Sequence, residues 1–308
     1  CLPSRYGFNP DHLRQAAALE IVPGQGAKPG GGGMLLGLKV SPRVAQMRTL
    51  PEGIDQRSAC RHPDWTGPDD LAIKIGELRE ITDWKIPIYV KLGATRGKDD
   101  VKLAVKAGAD VVVVDGMQGG TAATQQVFIE HTGIPTLPAV RLAVEALEEM
   151  NAAGQVQLIV SGGIRSGADV AKALALGADA VAIGQGVLMS LGCNSPTWES
   201  GGEKFDATGD YEKLGTRAGY CHHCQSGLCP VGITTQDEEL EKRVDPAWGA
   251  RRLKNYLQVL SMELTTLARA CGKSNVHHLE REDLVALTVE AAAMAKLPLA
   301  GTDWIPGE

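Results

Sequence analysis

Short apolar runs alternate with stretches of helical period through the first two thirds of the chain. Strands are predicted over residues 19–22, 88–92, 110–114, 134–139, 158–160 and 180–183. Between them, apolar residues recur at helical spacing over 11–19, 70–81, 99–107, 142–150 and 169–176. Residues 111–114 are four consecutive valines, the form of a strand covered on both faces of a parallel sheet. Residues 134–139 make the poorest strand, interrupted by Pro135 and Pro138. Two segments echo each other. DVKLAVKAGADVVVVDG over 100–116 and DVAKALALGADAVAIG over 169–184 both read helix, Gly-Ala-Asp turn, strand, glycine. Such units stack into a parallel sheet with right-handed crossovers, because only then do the helices cover the strands.

Residues 157–186 organise the rest. A strand ends in Ser161-Gly162-Gly163, a helix follows and stops at Gly177, and the next strand ends in Gly184-Gln185-Gly186. Tandem glycine turns at the carboxyl ends of adjacent parallel strands present backbone N–H groups to one point. In (β/α)8 barrels the corresponding place holds a phosphate. The alternative is glycines that only turn the chain. The expected fold is therefore α/β, a (β/α)8 barrel. The six predicted strands fall short of eight, so the first two are expected to lie outside this chain, and the abrupt opening at Cys1 fits that.

After Gly192 the pattern changes. Residues 1–192 read as the barrel, 193–220 as a polar surface insertion, 221–236 as a cysteine loop and 237–308 as a helical segment. Helices are expected over 253–270 and 280–295. In the first, Leu253, Leu257, Leu260, Leu264 and Leu267 form one stripe, expected to pack on the barrel.

The 308 residues suit one barrel with an appendage; 44% are hydrophobic and 22% charged, ordinary for a soluble globular protein. A net charge of −6 gives no reason to expect nucleic acid or an anionic membrane as partner. No 18-residue apolar run and no signal-peptide core is present, so the expected location is the cytoplasm, where the seven cysteines stay reduced. Three of these, Cys221, Cys224 and Cys229, form C-x2-C-x4-C followed by Pro230. Closely spaced thiolates in a glycine-containing loop suit an iron–sulfur centre: [3Fe-4S], or [4Fe-4S] with a fourth ligand. Zinc shared with His222 or His223, or plain free thiols, are the rival readings. Cys193 is a candidate further ligand; Cys60 and Cys271 read as buried thiols.

These residues resemble a known family. Gln25-Gly26-Ala27-Lys28-Pro29-Gly30 resembles the QGAKPGxGGxLPG loop of glutamate synthase FMN domains. Met47-Arg48 and Pro51-Glu52-Gly53 resemble the segment after it, and Val90-Lys91-Leu92 resembles that family's VKL strand. Asp115-Gly116-Met117-Gln118-Gly119-Gly120-Thr121 resembles its GxDGGT turn, and Cys224-x4-Cys229-Pro-Val-Gly its cluster loop. The likeness is collinear from about Arg5 onward. The stretch RSACRHPDWTGPDD over 57–70 and the closing GTDWIPG resemble stand-alone FMN subunits such as that of N-methylglutamate synthase.

The resemblance implies a barrel that binds FMN and a [3Fe-4S] cluster and reductively aminates 2-oxoglutarate with an amine donor. Glutamate or N-methylglutamate would be the product. Lys28 and Arg48 match its substrate-binding positions, and Lys91 stands where it can meet negative charge on the flavin. Gln25, Lys91, Asp115, Gly119, Gly120, Thr121, Ser161–Gly163 and Gly184–Gly186 are implied cofactor contacts. Cys221, Cys224 and Cys229 are the implied metal ligands, Cys221 being preferred to Cys193 as the third. Amidotransferase-type and electron-donor subunits are expected partners in a hetero-oligomer, since no amidotransferase nucleophile follows Cys1.

There are departures. Met34 replaces a Gln near the substrate, Ala122 replaces a Gly, and only two residues separate Cys221 from Cys224 where the family has five. A 2-hydroxy-acid oxidase is disfavoured because no His-Gly pair occurs. A non-catalytic electron-relay subunit is the remaining alternative.

Overall fold

The computed structural model describes residues 9–29, 33–57, 62, 65–120 and 124–308. Thr121 and Ala122, together with Cys1, Cys60 and Gly30, lie outside them. The elements in order are α1 (Pro10–Arg14), β1 (Leu19–Ile21), β2 (Met34–Leu35), α2 (Pro42–Arg48), β3 (Gln56–Arg57), α3 (Pro68–Ile81), β4 (Ile88–Gly93) and α4 (Gly97–Lys106). There follow β5 (Val111–Asp115), α5 (Gln126–His131), α6 (Thr136–Glu149), β6 (Gln157–Ser161), α7 (Gly167–Ala175), β7 (Ala180–Ala182) and α8 (Gln185–Ser190). The remainder holds β8 (Thr197–Ser200), β9 (Glu203–Asp206), α9 (Thr208–Lys213), α10 (Glu238–Glu241), α11 (Pro246–Ala270) and α12 (Val289–Ala295).

A five-stranded parallel sheet in the order β1-β4-β5-β6-β7 is the centre. Strand order follows chain order, as βα repeats with right-handed crossovers require. The central strand β5 is buried along its whole length, and each of its valines removes enough apolar surface to stabilise by about 2 kcal/mol. Helices α3, α4 and α6 cover the sheet with Leu71, Ile75, Val101, Ala143 and Leu147 in one core with Val90, Val112 and Leu158. At the edge, Ala180 and Ala182 of β7 are exposed. The sheet is open among the described residues.

Five of the six predicted strands are present. Residues 134–139 are not a strand: Pro135 caps α6, which begins at Thr136. The first turn of a helix has N–H groups with no helical partner, so Pro138 loses nothing there, and the two prolines mark a helix start. The predicted helix 280–295 is also corrected. Only Val289–Ala295 is α-helical, preceded by a 3₁₀ turn at Arg281–Asp283. The Thr288 side chain accepts from Ala291 N at 3.2 Å and starts the helix late, while Ala286 is taken up in a bridge to Leu299.

Helix α11 starts earlier than its leucines suggest, because Asp245 caps it and Pro246 occupies its first position. Its stripe divides. Leu253, Leu260 and Leu264 are half-buried, but Leu257 and Leu267 are exposed. The helix lies on α7, where a Cβ on Gly167 would stand 2.3 Å from the Leu260 carbonyl oxygen. Glycine there lets the backbones touch, and Gly167 N donates to the Glu263 carboxylate at 2.8 Å. No helix among the described residues is long and apolar enough to cross a membrane.

Candidate functional site

Asp115, the last residue of β5, is 3% exposed. It accepts from Gly26 N at 2.9 Å and from the Ser161 hydroxyl at 2.6 Å, and it pairs with Lys91 Nζ at 3.5 Å. One carboxylate thus ties the ends of β4, β5 and β6 to the loop that follows β1. That loop is held again where Ala27 N donates to Gly119 O at 2.8 Å. The approach is close: a Cβ on Gly26 would stand 1.7 Å from the Gly116 carbonyl oxygen. No rotamer relieves a backbone clash of that size. Gly26→Ala is therefore expected to abolish the folded loop and lower the midpoint of thermal unfolding by several degrees or more, read by circular dichroism.

Lys28 follows directly and is 3% exposed. Burial holds its ammonium below the usual lysine value. Gln25 O accepts from Lys28 N at 3.1 Å and lies against Gly93 at the end of β4. The structure thus gathers Gln25, Lys28, Lys91, Asp115, Gly119 and Ser161 at the carboxyl edge of the sheet. Beside them a cavity of about 560 Å3 opens between the β1 loop and β4, lined by Gly24, Pro29, Gly93, Asp100 and His131 among others. None of the predicted site residues lines it.

The two glycine turns leave the same edge. Strands β6 and β7 pair in parallel, with Ser161 opposite Ala182, so Gly162–Gly163 and Gly184–Gln185 follow side by side. The space a Cβ at 184 would take is open, and both Gly184 and Gln185 are exposed. The open backbone at Gly184 fits a phosphate, whereas Gly162 lies close to the Thr136 hydroxyl and Gly186 close to that of Tyr256.

Arg48 ends α2, whose start is capped by the Ser41 side chain. It is half-buried near Lys39, whose pKa is lowered first by burial and to a lesser degree by the charge of Arg48. Lys39 itself, which sequence reasoning missed, donates to the Cys224 carbonyl at 2.8 Å. Leu36 N reaches Gln225 O at 3.2 Å and the Ser41 hydroxyl reaches Gln236 Oε1 at 3.2 Å. The cysteine loop is thereby stitched to the segment between β2 and α2. Lys39 sits in a plain Leu-Lys-Val run, and no motif signalled this contact.

Cys193, Cys221, Cys224 and Cys229 are all half-buried free thiols. The insertion does not separate Cys193 from the others. It folds into the β8–β9 hairpin with Trp198 stacked on Phe205 at 4.3 Å, then returns. Asn194 joins its two ends, accepting from Cys221 N at 2.8 Å and donating to Cys221 O at 3.3 Å. The Cys193 thiol is pushed up to about 11, first by burial and then by the neighbouring thiols of Cys224 and Cys229. Gln185 Nε2 lies 3.9 Å from its sulfur, so the cysteines adjoin the second glycine turn. Cys221 and Cys229 share an apolar nest with Tyr211 and Val231. The donor set, soft thiols without a carboxylate, fits an iron–sulfur centre. No three His, Cys, Asp or Glu side chains are drawn to ligand distance among the described residues. His222 turns its Nδ1 to the Tyr220 carbonyl at 3.3 Å. Cys271 is exposed, contrary to the buried thiol expected.

Comparisons with known proteins bear on the fold and the family. In solved structures, a flavocytochrome b2 double mutant with pyruvate bound aligns over 97% of this chain and 54% of its own, with a TM-score of 0.50 and 18% identity. That likeness shows the fold, an α/β barrel type, and nothing beyond it. A glutamate synthase large subunit-like protein of Rhizobium meliloti is 66% identical over 307 residues, covering 100% of this chain and 67% of the relative. An archaeal NADPH glutamate synthase of Methanocaldococcus jannaschii is 39% identical over 276 residues, which is 89% of this chain. The chain spans 49% of that relative's length. The family model described as a conserved region in glutamate synthase matches residues 1–197 and 213–274. The chain belongs to the glutamate synthase family.

Proposed function

We propose that this chain is the FMN- and iron–sulfur-bearing part of an enzyme that reductively aminates 2-oxoglutarate. The observation that carries the reading is the pinned loop of residues 25–28, which sets a buried Lys28 at the same strand ends as Lys91. A dicarboxylate needs cations held in advance of binding, and an ammonium already stripped of water binds it more strongly than an exposed one.

The net chemistry has two steps. The keto group of 2-oxoglutarate condenses with an amine, releasing water and forming an imine. The imine carbon then gains a hydride and its nitrogen a proton. FMN, when bound, would supply the hydride, and the cluster would relay electrons from the electron-donor subunit to restore the reduced flavin. Lys28 and Arg48 hold the carboxylates of the keto acid. Lys91, kept in place by Asp115, offers positive charge where negative charge develops at the flavin edge. Gly162–Gly163 and Gly184–Gly186 would receive the flavin phosphate, with Gly119 and Gly120 as further backbone contacts.

Cys221, Cys224 and Cys229 hold the cluster, Cys193 standing beside them as a fourth thiol. Serine replacement of Cys224 or Cys229 is expected to remove most bound iron and acid-labile sulfide, and Cys221→Ser to do the same. Cys193→Ser is expected to keep them. Loss with Cys193→Ser and retention with Cys221→Ser would exchange those two roles.

The function is tested by turnover of the reconstituted full chain with its electron-donor and amidotransferase-type subunits. The assay contains 2-oxoglutarate with ammonia, or with methylamine. Glutamate or N-methylglutamate is expected as product. Reduced flavin that no combination of keto acid and amine reoxidises would contradict the reading.

A further inference from the structure

Gln118 lies in the turn after β5 and is exposed. Its Oε1 stands 3.0 Å from the backbone nitrogen of Thr136 and 2.9 Å from the Thr136 hydroxyl. A backbone N–H can only donate, so the amide atom facing it must be the oxygen. Thr136 opens α6, a helix of 14 residues, and its N–H has no partner inside the helix. The Gln118 oxygen satisfies it. The Thr136 hydroxyl lies 2.7 Å from Gly162 O as well, which draws the turn after β6 into the same arrangement.

With its oxygen fixed there, the planar amide turns its two N–H donors away from Thr136. They meet no acceptor among the described residues. The stem of Gln118 crosses Gly163, where a Cβ would stand 3.2 Å from the Gln118 Cβ and 3.5 Å from its Cγ. Gly163 also has φ +79°, so glycine is favoured there on both counts. Two residues on, a Cβ at Gly120 would stand 2.3 Å from the Ala27 Cβ, next to Lys28. Gln118 is therefore held against the first glycine turn and the start of α6, with donors to spare.

We propose that Gln118 is a binding residue that donates its free amide N–H to an oxyanion at this rim. The shared chemistry is a negatively charged oxygen, from the flavin phosphate or from a carboxylate of the keto acid. The inference rests on the reading that FMN and 2-oxoglutarate bind here.

Gln118→Glu separates this role from a structural one. Glutamate keeps an oxygen for Thr136, so a residue that only caps α6 tolerates the change. A residue that donates to an oxyanion does not, because the change sets an acceptor and a like charge against it. In the full chain, FMN and riboflavin affinities are read by flavin fluorescence, and 2-oxoglutarate by KM. Gln118→Glu is expected to weaken one of these ligands about tenfold or more. Weaker FMN with unchanged riboflavin, which has no phosphate, assigns the phosphate. A raised KM with unchanged FMN affinity assigns the carboxylate. Wild-type affinity for both ligands overturns the proposal, as does an equal loss of FMN and riboflavin. Gln118→Ala replaces it if the glutamate variant does not fold, with a loss of about threefold or more expected in the same quantity and unchanged affinities overturning the proposal. A wild-type protein that binds no FMN contradicts the reading beneath, a different outcome from all of these.

Discussion

Lys28→Met is expected to cost kcat/KM for 2-oxoglutarate about thirtyfold or more while leaving the fold and FMN content in place. Lys28 is already 3% exposed, so the desolvation of its ammonium is met on folding and not on binding. Removing one charged partner from a buried contact typically costs about 2–5 kcal/mol, which spans roughly thirtyfold to several thousandfold. The same burial gives a pH signature. The pKa of Lys28 is held below its usual 10.5, so its charge is lost earlier as pH rises. Affinity for the dicarboxylate should fall on the alkaline side below that value. Stability has the opposite sign: between the two pKa values the unfolded chain binds more protons, so this lysine's contribution to stability rises with pH there. Lys28→Arg keeps the charge without the fit and should retain more activity than the methionine variant. Steady-state kinetics of the three proteins against pH checks each point. Equal kcat/KM in wild type and Lys28→Met would remove Lys28 from the substrate site and favour a relay role for the chain.

Asp115→Ala should be the most destabilising single change at the rim. It leaves Lys91 without its partner and takes the acceptors from Gly26 N and the Ser161 hydroxyl. Breaking a buried ion pair from one side costs about 3–5 kcal/mol. For a domain of this size that lowers the unfolding midpoint by roughly 6 °C or more. Adding Lys91→Met removes the stranded charge, so the double variant should be more stable than the sum of the single losses predicts. Strict additivity in thermal unfolding would show that Lys91 and Asp115 do not act as a pair.

Much of the sheet was legible because its residues have few other uses. The valine run of β5 can satisfy its backbone and bury both faces only inside a parallel sheet. The two glycine turns were legible for the same reason, their strands being adjacent in sequence and in space. Residues 134–139 misled because Pro135 and Pro138 look the same at a broken strand and at a helix start. Only the capping geometry distinguishes the two. At 280–295 the apolar spacing was real, but it served separate elements, and Leu287 is 83% exposed. The lysines and glycines of the rim could be named from their motifs. What holds them could not. Asp115 is a brace whose oxygens are engaged within the protein, Lys39 clasps the cysteine loop, and Asn194 closes the insertion. Each depends on side chains brought together over long sequence separations, and local pattern carries no trace of that.

The account depends most on the paired turns after β6 and β7 gripping the phosphate of a flavin. Titrating the flavin-free full chain with FMN and with riboflavin, followed by quenching of flavin fluorescence, tests it directly. FMN should bind at least tenfold more tightly than riboflavin, because only FMN offers a phosphate to Gly162–Gly163 and Gly184–Gln185. Equal affinity for the two, or no binding of either, would contradict the account.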